Sequence, residues 1–300
     1  MDAGHYAWVQ SRKIALAGLA IVAAQFSVNI GAAFAKSLFP LAGPAGVAAL
    51  RTGTAAVILV GIARPWRRSL SGRQILWIIL YGLVLGGMNL LIYWAFARIP
   101  IGIAVAIEIG GPLSVVLVTS RSARDFLWLA LAVASVLLLM PWPGWHARLD
   151  PAGVAFAMGA AVCWALYILF GKRASEVESS TAVALGMTAA SLVTIPVGVA
   201  TAGSRLANPA IWGLGVAVAI LSSAIPYMLE MKALERLSSR LFGVLTSSAP
   251  AVAALAGFVL LGERLTSLHW IAVLLMIGAS AGCSLTSRPA ASRVVDEAII

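Results

Sequence analysis

The residues able to do chemistry in this chain are few, and they lie inside long apolar runs. Glu108 is the only acid centred in such a run, between Ile103-Ala104-Val105-Ala106-Ile107 and Ile109-Gly110-Gly111-Pro112. A carboxyl placed there is expensive unless it serves a purpose; it can hold an ammonium group, and it can gain and lose a proton. Glu108 is therefore the candidate for substrate binding and for proton coupling. Other polar groups recur at helical steps. Gln25 and Asn29 are four apart; Gly82, Gly86, Asn89 and Tyr93 follow at steps of four, three and four. Glu108, Gly111 and Pro112 share a face, as do Trp164, Tyr167 and Gly171. Ser223, Tyr227 and Glu230 flank Pro226, and Gly243, Ser247, Pro250, Ala254 and Gly257 form a last row. With Tyr81, these rows predict a polar cavity for a small solute. Its candidate binding residues are Gln25, Asn29, Tyr81, Asn89, Tyr93, Glu108, Trp164, Tyr167, Ser223, Tyr227 and Ser247. Gly111, Pro112, Pro226 and Pro250 are the candidates for helix breaks and gating, since proline frees backbone groups that must then face a cavity or another helix.

Three polar features receive a structural reading. Arg51 sits close enough to the outer end of its run for its stem to snorkel. Glu230 is two residues from Lys232 and is expected to be solvated or paired. Gly82 and Gly86 are expected to form a close-packing surface. Cys163 and Cys283 lie in apolar stretches and read as packing residues, so no cofactor or thiolate metal site is implied.

Catalysis finds little support. Gly278-Ala279-Ser280-Ala281-Gly282 matches the G-x-S-x-G elbow, but an elbow needs a strand-to-helix turn. His5, His146 and His269 all lie outside the apolar runs. An intramembrane serine hydrolase is thus disfavoured, and no phosphate-binding loop or H-E-x-x-H pair occurs. A channel is disfavoured too, because filter rings usually need several subunits and no filter loop is present.

The elements that must position these residues follow from composition. The 300 residues are 61% hydrophobic and 11% charged, with a mean hydropathy of +0.97; a soluble domain carries about 25% charged residues. Apolar runs of about 20 residues span a bilayer. They predict ten helices: 14–35, 44–63, 74–97, 100–119, 126–141, 152–171, 181–201, 211–234, 241–261 and 267–286. The expected fold class is an all-α polytopic membrane protein. The first run lacks the cleavage pattern of a signal peptide and is expected to be retained.

The net charge of +10 would raise nucleic-acid binding in a soluble protein. Here position explains it. Fifteen Lys and Arg fall in alternate loops and the termini: Arg12, Lys13, Arg64, Arg67, Arg68, Arg73, Arg121, Arg124, Lys172, Arg173, Lys232, Arg236, Arg240, Arg288 and Arg293. Five fall in the opposite loops: Lys36, Arg98, Arg148, Arg205 and Arg264. That asymmetry predicts both termini in the cytoplasm. It needs no nucleic acid.

At an offset of 138, Ala95, Arg98 and Pro112 fall on Ala233, Arg236 and Pro250; at 135, Ala17, Gly18 and Ala20 fall on Ala152, Gly153 and Ala155. The chain divides accordingly into a cytoplasmic N-terminus (1–13), a first repeat of five helices (14–145), a second (151–287) and a cytoplasmic tail (288–300). Five is odd, so the second half must run inverted, an architecture that places substrate near the midplane and suits alternating access.

The segment Gly102-Ile103-Ala104-Val105-Ala106-Ile107-Glu108-Ile109-Gly110-Gly111-Pro112-Leu113 resembles the EamA-type members of the drug/metabolite transporter superfamily, and most closely their inner-membrane threonine and homoserine exporters. The resemblance extends through Ala35-Lys36-Ser37-Leu38-Phe39-Pro40-Leu41, Gly86-Gly87-Met88-Asn89, Cys163-Trp164-Ala165-Leu166-Tyr167-Ile168-Leu169, Ala219-Ile220-Leu221-Ser222-Ser223-Ala224-Ile225-Pro226-Tyr227 and Leu261-Gly262-Glu263-Arg264-Leu265-Thr266. It implies two inverted EamA repeats, a cavity between them, and export of amino acids or related metabolites from the bacterial cytoplasm across the inner membrane. At Ser247-Ser248-Ala249-Pro250 such relatives commonly carry Glu just before the proline, where this chain has Ala249. Glu108 is then the principal intramembrane acid. An amino acid is expected to place its ammonium near Glu108, its carboxylate near Asn29, Asn89 and the serines of the eighth and ninth helices, and its side chain against Trp164 and Tyr167. Exporters of aromatic amino acids or hydrophobic cations are the alternative. Nothing in the sequence selects an oligomeric state.

Overall fold

A computed structural model describes residues 3–99, 101–119, 123–139, 150–252, 255 and 267–286. The expected tail 288–300, the row members Ala254 and Gly257, the loop residues Arg121, Arg148 and Arg264, and the side chain of Ser280 lie outside the described residues. Among the described residues the chain is all helix and turn, with no strand. The helices are α1 (Ala3–Ala63), α2 (Gly72–Phe96), α3 (Ile101–Glu108), α4 (Gly110–Thr119), α5 (Ala123–Leu139), α6 (Pro151–Ala174), α7 (Ser179–Ala202), α8 (Ala210–Ala219), α9 (Ile225–Arg236), α10 (Ser239–Thr246) and α11 (Ser267–Thr286).

Local chemistry sets their limits. Ser71 caps α2 through the Gln74 backbone N–H, and the Gln74 side chain returns the bond in a capping box. Asp150 caps α6 with Pro151 in its first turn, and Ser238 caps α10. The first two expected spans join in α1, which breaks at Gly43, where φ of 69° is open to glycine and strained for other residues.

By length and composition, six helices among the described residues can cross a membrane: Ala15–Ala32, Ser37–Arg67, Gly72–Phe96, Pro151–Ala174, Ser179–Ala207 and Ala210–Arg236. Ile103–Thr119 and Ser267–Ala279 are shorter apolar helices. The outer faces are apolar, with Val57 74%, Val118 82% and Leu192 69% exposed. In water such surfaces would associate; in a bilayer they face lipid. The protein is a multi-pass membrane protein.

Small residues bring the helices together. A Cβ on Gly82 would lie 2.2 Å from the Gly186 carbonyl oxygen, and one on Gly86 2.7 Å from that of Ala190. The backbones of α2 and α7 therefore touch, the close packing available only to glycine. Gly198 does the same for α7 against Ala49 of α1. Buried Tyr81, Tyr167, Ile168 and Phe242 fill the core between α2, α6, α9 and α10.

Candidate functional site

Three of the expected spans are irregular where the candidate residues sit. The fourth is divided at Ile109 into α3 and α4. Helical bonds continue on both sides, from Ile109 N–H to Val105 and from Leu113 N–H to Ile109. Pro112, however, has no N–H to return to the Glu108 carbonyl. The eighth span carries a π-helical turn, Ile220–Ala224, in which the Ile225 N–H reaches back to Ile220. Pro226 cannot donate to Leu221, so that carbonyl accepts instead from the Ser27 hydroxyl of α1 at 2.5 Å. Such single π turns often mark functional sites. Gly31 permits the approach, since a Cβ there would lie 2.4 Å from the Ser222 Cβ. In the ninth span α10 stops at Thr246, four residues before Pro250.

Arg51 is the hub of the buried polar cluster. Its side chain does not snorkel, as expected from depth alone, but turns inward and is 5% exposed. Nε donates to Ser223 Oγ at 2.7 Å, Nη1 to Tyr93 Oη at 2.7 Å and Nη2 to Tyr227 Oη at 3.1 Å. The reason is that the π turn, α9 and α2 present three hydroxyls to one point, and a guanidinium's planar fork matches them. Asn89 Nδ2 donates to Tyr227 Oη at 3.3 Å and to the Leu85 carbonyl at 2.8 Å. Tyr93, Asn89, Ser223 and Tyr227 are thus brought together, around a residue that its sequence position alone left outside the site. The available signal was that only Arg51 and Lys232 among the Lys and Arg fall within the expected spans, and Lys232 lies at the very end of its span.

A second cluster adjoins it. Tyr167 lies with its ring centroid 6.0 Å from that of Tyr227 and 5.1 Å from that of Tyr81. Its hydroxyl donates to Glu230 Oε2 at 2.7 Å. Glu230 is 5% exposed, so it is neither solvated nor paired with Lys232. Helix geometry accounts for this. Two residues apart on a helix, Glu230 and Lys232 point in different directions.

Glu108 is 8% exposed, and no hydrogen bond or ion pair to its carboxyl occurs among the described residues. It forms no ion pair with Arg51, although Leu50, next to Arg51, belongs to the same buried cluster as Ile103 and Ala104 of α3. Gly111 allows α4 to reach α6, since a Cβ there would lie 2.2 Å from the Ala161 carbonyl oxygen and 3.1 Å from the Trp164 Cβ.

Among the remaining candidates, Asn29 and Ser247 stand apart from the cluster. Asn29 Nδ2 donates to the Gln25 carbonyl at 2.8 Å, and Ser247 Oγ to the Gly243 carbonyl at 2.7 Å. Both use their own helix, which is what small polar side chains do when no neighbour competes. Gln25 and Trp164 are buried, Pro112 and Pro226 are buried, and Pro250 is partly buried.

Outside this cluster, polar contacts tie the ends of the helices together. Arg68 pairs with Glu178 at 2.6 Å and Arg240 with Asp125 at 2.6 Å. Arg98 pairs with Asp150 at 3.2 Å. The Asp150 carboxyl is held below its ordinary value, first by the Ala152 backbone N–H and then by Arg98.

Comparison with known proteins gives a consistent pattern. Residues 151–285 match the EamA-like transporter family. The threonine/homoserine exporter RhtA of Salmonella typhimurium strain SL1344 is 45% identical over 270 residues, 90% of this chain and 92% of its own. That of Escherichia coli K12 is 45% identical over 268 residues, 89% and 91%. An uncharacterized transporter of Bacillus subtilis, YwfM, is 27% identical over 164 residues, 53% of this chain and 55% of its own. A solved crystal structure superposes with a TM-score of 0.71 over 91% of this chain and 96% of the other, at 20% identity, a likeness of fold.

Proposed function

The chain belongs to the EamA-like transporter family, and from that premise we propose that it exports neutral amino acids of the threonine and homoserine kind across the bacterial inner membrane by alternating access. The observation that carries this reading is the 45% identity to threonine/homoserine exporters over nine-tenths of the chain. The substrate site is the buried cluster between α1, α2, α3, α6 and the π turn, where Glu108 receives the ammonium group. Proton coupling runs through the same carboxyl.

The proposed architecture is ten helices in two inverted repeats of five. Three contacts support it, each joining same-numbered expected spans of the two halves at separations near 138. Thr52 and Thr194 hydroxyls meet at 2.5 Å, Asn89 meets Tyr227, and Ser135 Oγ donates to the Ala272 carbonyl at 2.7 Å. Residues equivalent under a two-fold axis in the membrane plane meet where that axis passes. The ion pairs agree with the alternation of loops between two sides that ten spans require. Arg68–Glu178 and Arg240–Asp125 join loops of the positive side, and Arg98–Asp150 joins loops of the other.

The test is counterflow in liposomes against neutral, aromatic and charged amino acids and hydrophobic cations. Threonine and homoserine are expected to exchange fastest. Exchange of hydrophobic cations with no amino acid carried would replace the reading with multidrug export.

A further inference from the structure

Resting on that amino-acid reading, we propose that Arg51 is the carboxylate anchor of the site, opposite Glu108 as the ammonium anchor, so that the two form the poles of a zwitterion-binding site.

The donor pole is assembled by Arg51 itself. A guanidinium carries five N–H groups and no acceptor. Nε, Nη1 and Nη2 each give one to Ser223, Tyr93 and Tyr227, which leaves one N–H on each terminal nitrogen. Because arginine can only donate, the three hydroxyl oxygens are acceptors here, and each keeps its own proton for another partner. Tyr227 accepts a second bond from Asn89, whose amide orientation is set by the Leu85 carbonyl. The cluster therefore presents a positive charge and a set of unspent donors. Among the described residues Arg51 has no ion pair. Its partners are three neutral hydroxyls and the face of the Tyr93 ring, 5.4 Å from Cζ, and a buried cation with no anion beside it is an unfavourable arrangement until one joins it. A carboxylate matches the fork with two acceptor oxygens in one plane.

The acceptor pole is Glu108. Its carboxyl is buried and meets no donor among the described residues. Pro112 withholds the N–H that would have closed the helix onto the Glu108 carbonyl, so one residue offers two acceptors. The poles form no ion pair with each other, yet their helices meet in one buried cluster that holds Leu50, next to Arg51, together with Ile103 and Ala104 of α3. An α-amino acid carries ammonium and carboxylate on one carbon and satisfies both at once. This moves the carboxylate away from Asn29 and Ser247, whose N–H and O–H donate to their own helices.

The test is competition against labelled L-threonine counterflow by L-threonine, L-threonine amide and N-acetyl-L-threonine. Thermal stabilisation of the solubilised protein by the same compounds reads binding alone. In the parent both derivatives are expected to bind at least tenfold more weakly than threonine. Arg51→Gln is expected to lose threonine binding and counterflow at least tenfold, with Arg51→Lys between it and the parent. Competition by the amide within twofold of threonine overturns the proposal, as does parental threonine affinity in folded Arg51→Gln. Should that variant fail to fold, discrimination against the amide by the parent decides the matter. If the parent carries no amino acid, the exporter reading falls and the anchor with it; if it carries threonine and its amide alike, the anchor alone falls.

Discussion

In the proposed site Glu108 is the acceptor and Arg51 the donor, and each is buried without a contacting opposite charge among the described residues. A charge-assisted hydrogen bond contributes about 1.5–3 kcal/mol. Glu108→Gln keeps the shape of the side chain and removes the charge, so threonine counterflow should fall by about ten- to a hundredfold, at roughly 1.4 kcal/mol per factor of ten. Parental rates across the pH range would remove Glu108 from both binding and proton coupling. The burial of Glu108 was legible in the sequence, because a carboxyl set among apolar residues at mid-span marks itself by type and position alone; the inward turn of Arg51 was less so. A long cation near the end of a span can reach water or turn inward, and only the positions of Ser223, Tyr93 and Tyr227 on other helices decide between them.

At the scale of the element, proline shapes the site by what it lacks. Pro226 imposes the π turn, and the freed Leu221 carbonyl is taken up by Ser27 of another helix. In a helix interior proline is about 3 kcal/mol less favourable than alanine. Pro226→Ala should therefore leave the melting temperature unchanged or higher while counterflow drops at least tenfold, because a regular helix would turn Ser223 away from Arg51. A variant that transports normally would reduce the π turn to a packing feature. The Asp150 cap behaves differently. Its carboxyl is stabilised in the folded state by the Ala152 N–H and Arg98, so its folded value is depressed. That contribution is complete at neutral pH and is lost as pH falls below about 4, through the lowered folded value. Asp150→Asn can still cap α6 but cannot titrate; its melting temperature should lie below the parent's at pH 7, and the two should converge on acidification. Parallel curves would contradict the assignment.

For the whole molecule, the proposed topology puts Ser69 and Ser204, both exposed, on opposite sides of the membrane. With Cys163 and Cys283 replaced by alanine, Ser204→Cys should react with an impermeant maleimide on intact cells, and Ser69→Cys only after the membrane is opened. Equal labelling of both from outside would refute the even-numbered, cytoplasmic-termini arrangement.

Composition and spacing by themselves determined that this chain is a helical membrane protein, because 61% apolar residues in long runs leave no other way to satisfy the backbone in lipid. They also determined which helices carry polar faces, since a helical period is a local property. Tertiary structure alone decided which faces meet. Arg51 lies 172 residues from Ser223 and Glu230 lies 63 from Tyr167, and no local periodicity carries a separation of that length. Asn29 and Ser247 had the same standing in the sequence as Asn89 and Ser223, yet their hydrogen bonds close on their own helices. The difference is the presence of a donor or acceptor on a neighbouring helix, which packing of Gly82 on Gly186 and of Gly31 on Ser222 sets by bringing backbones into contact.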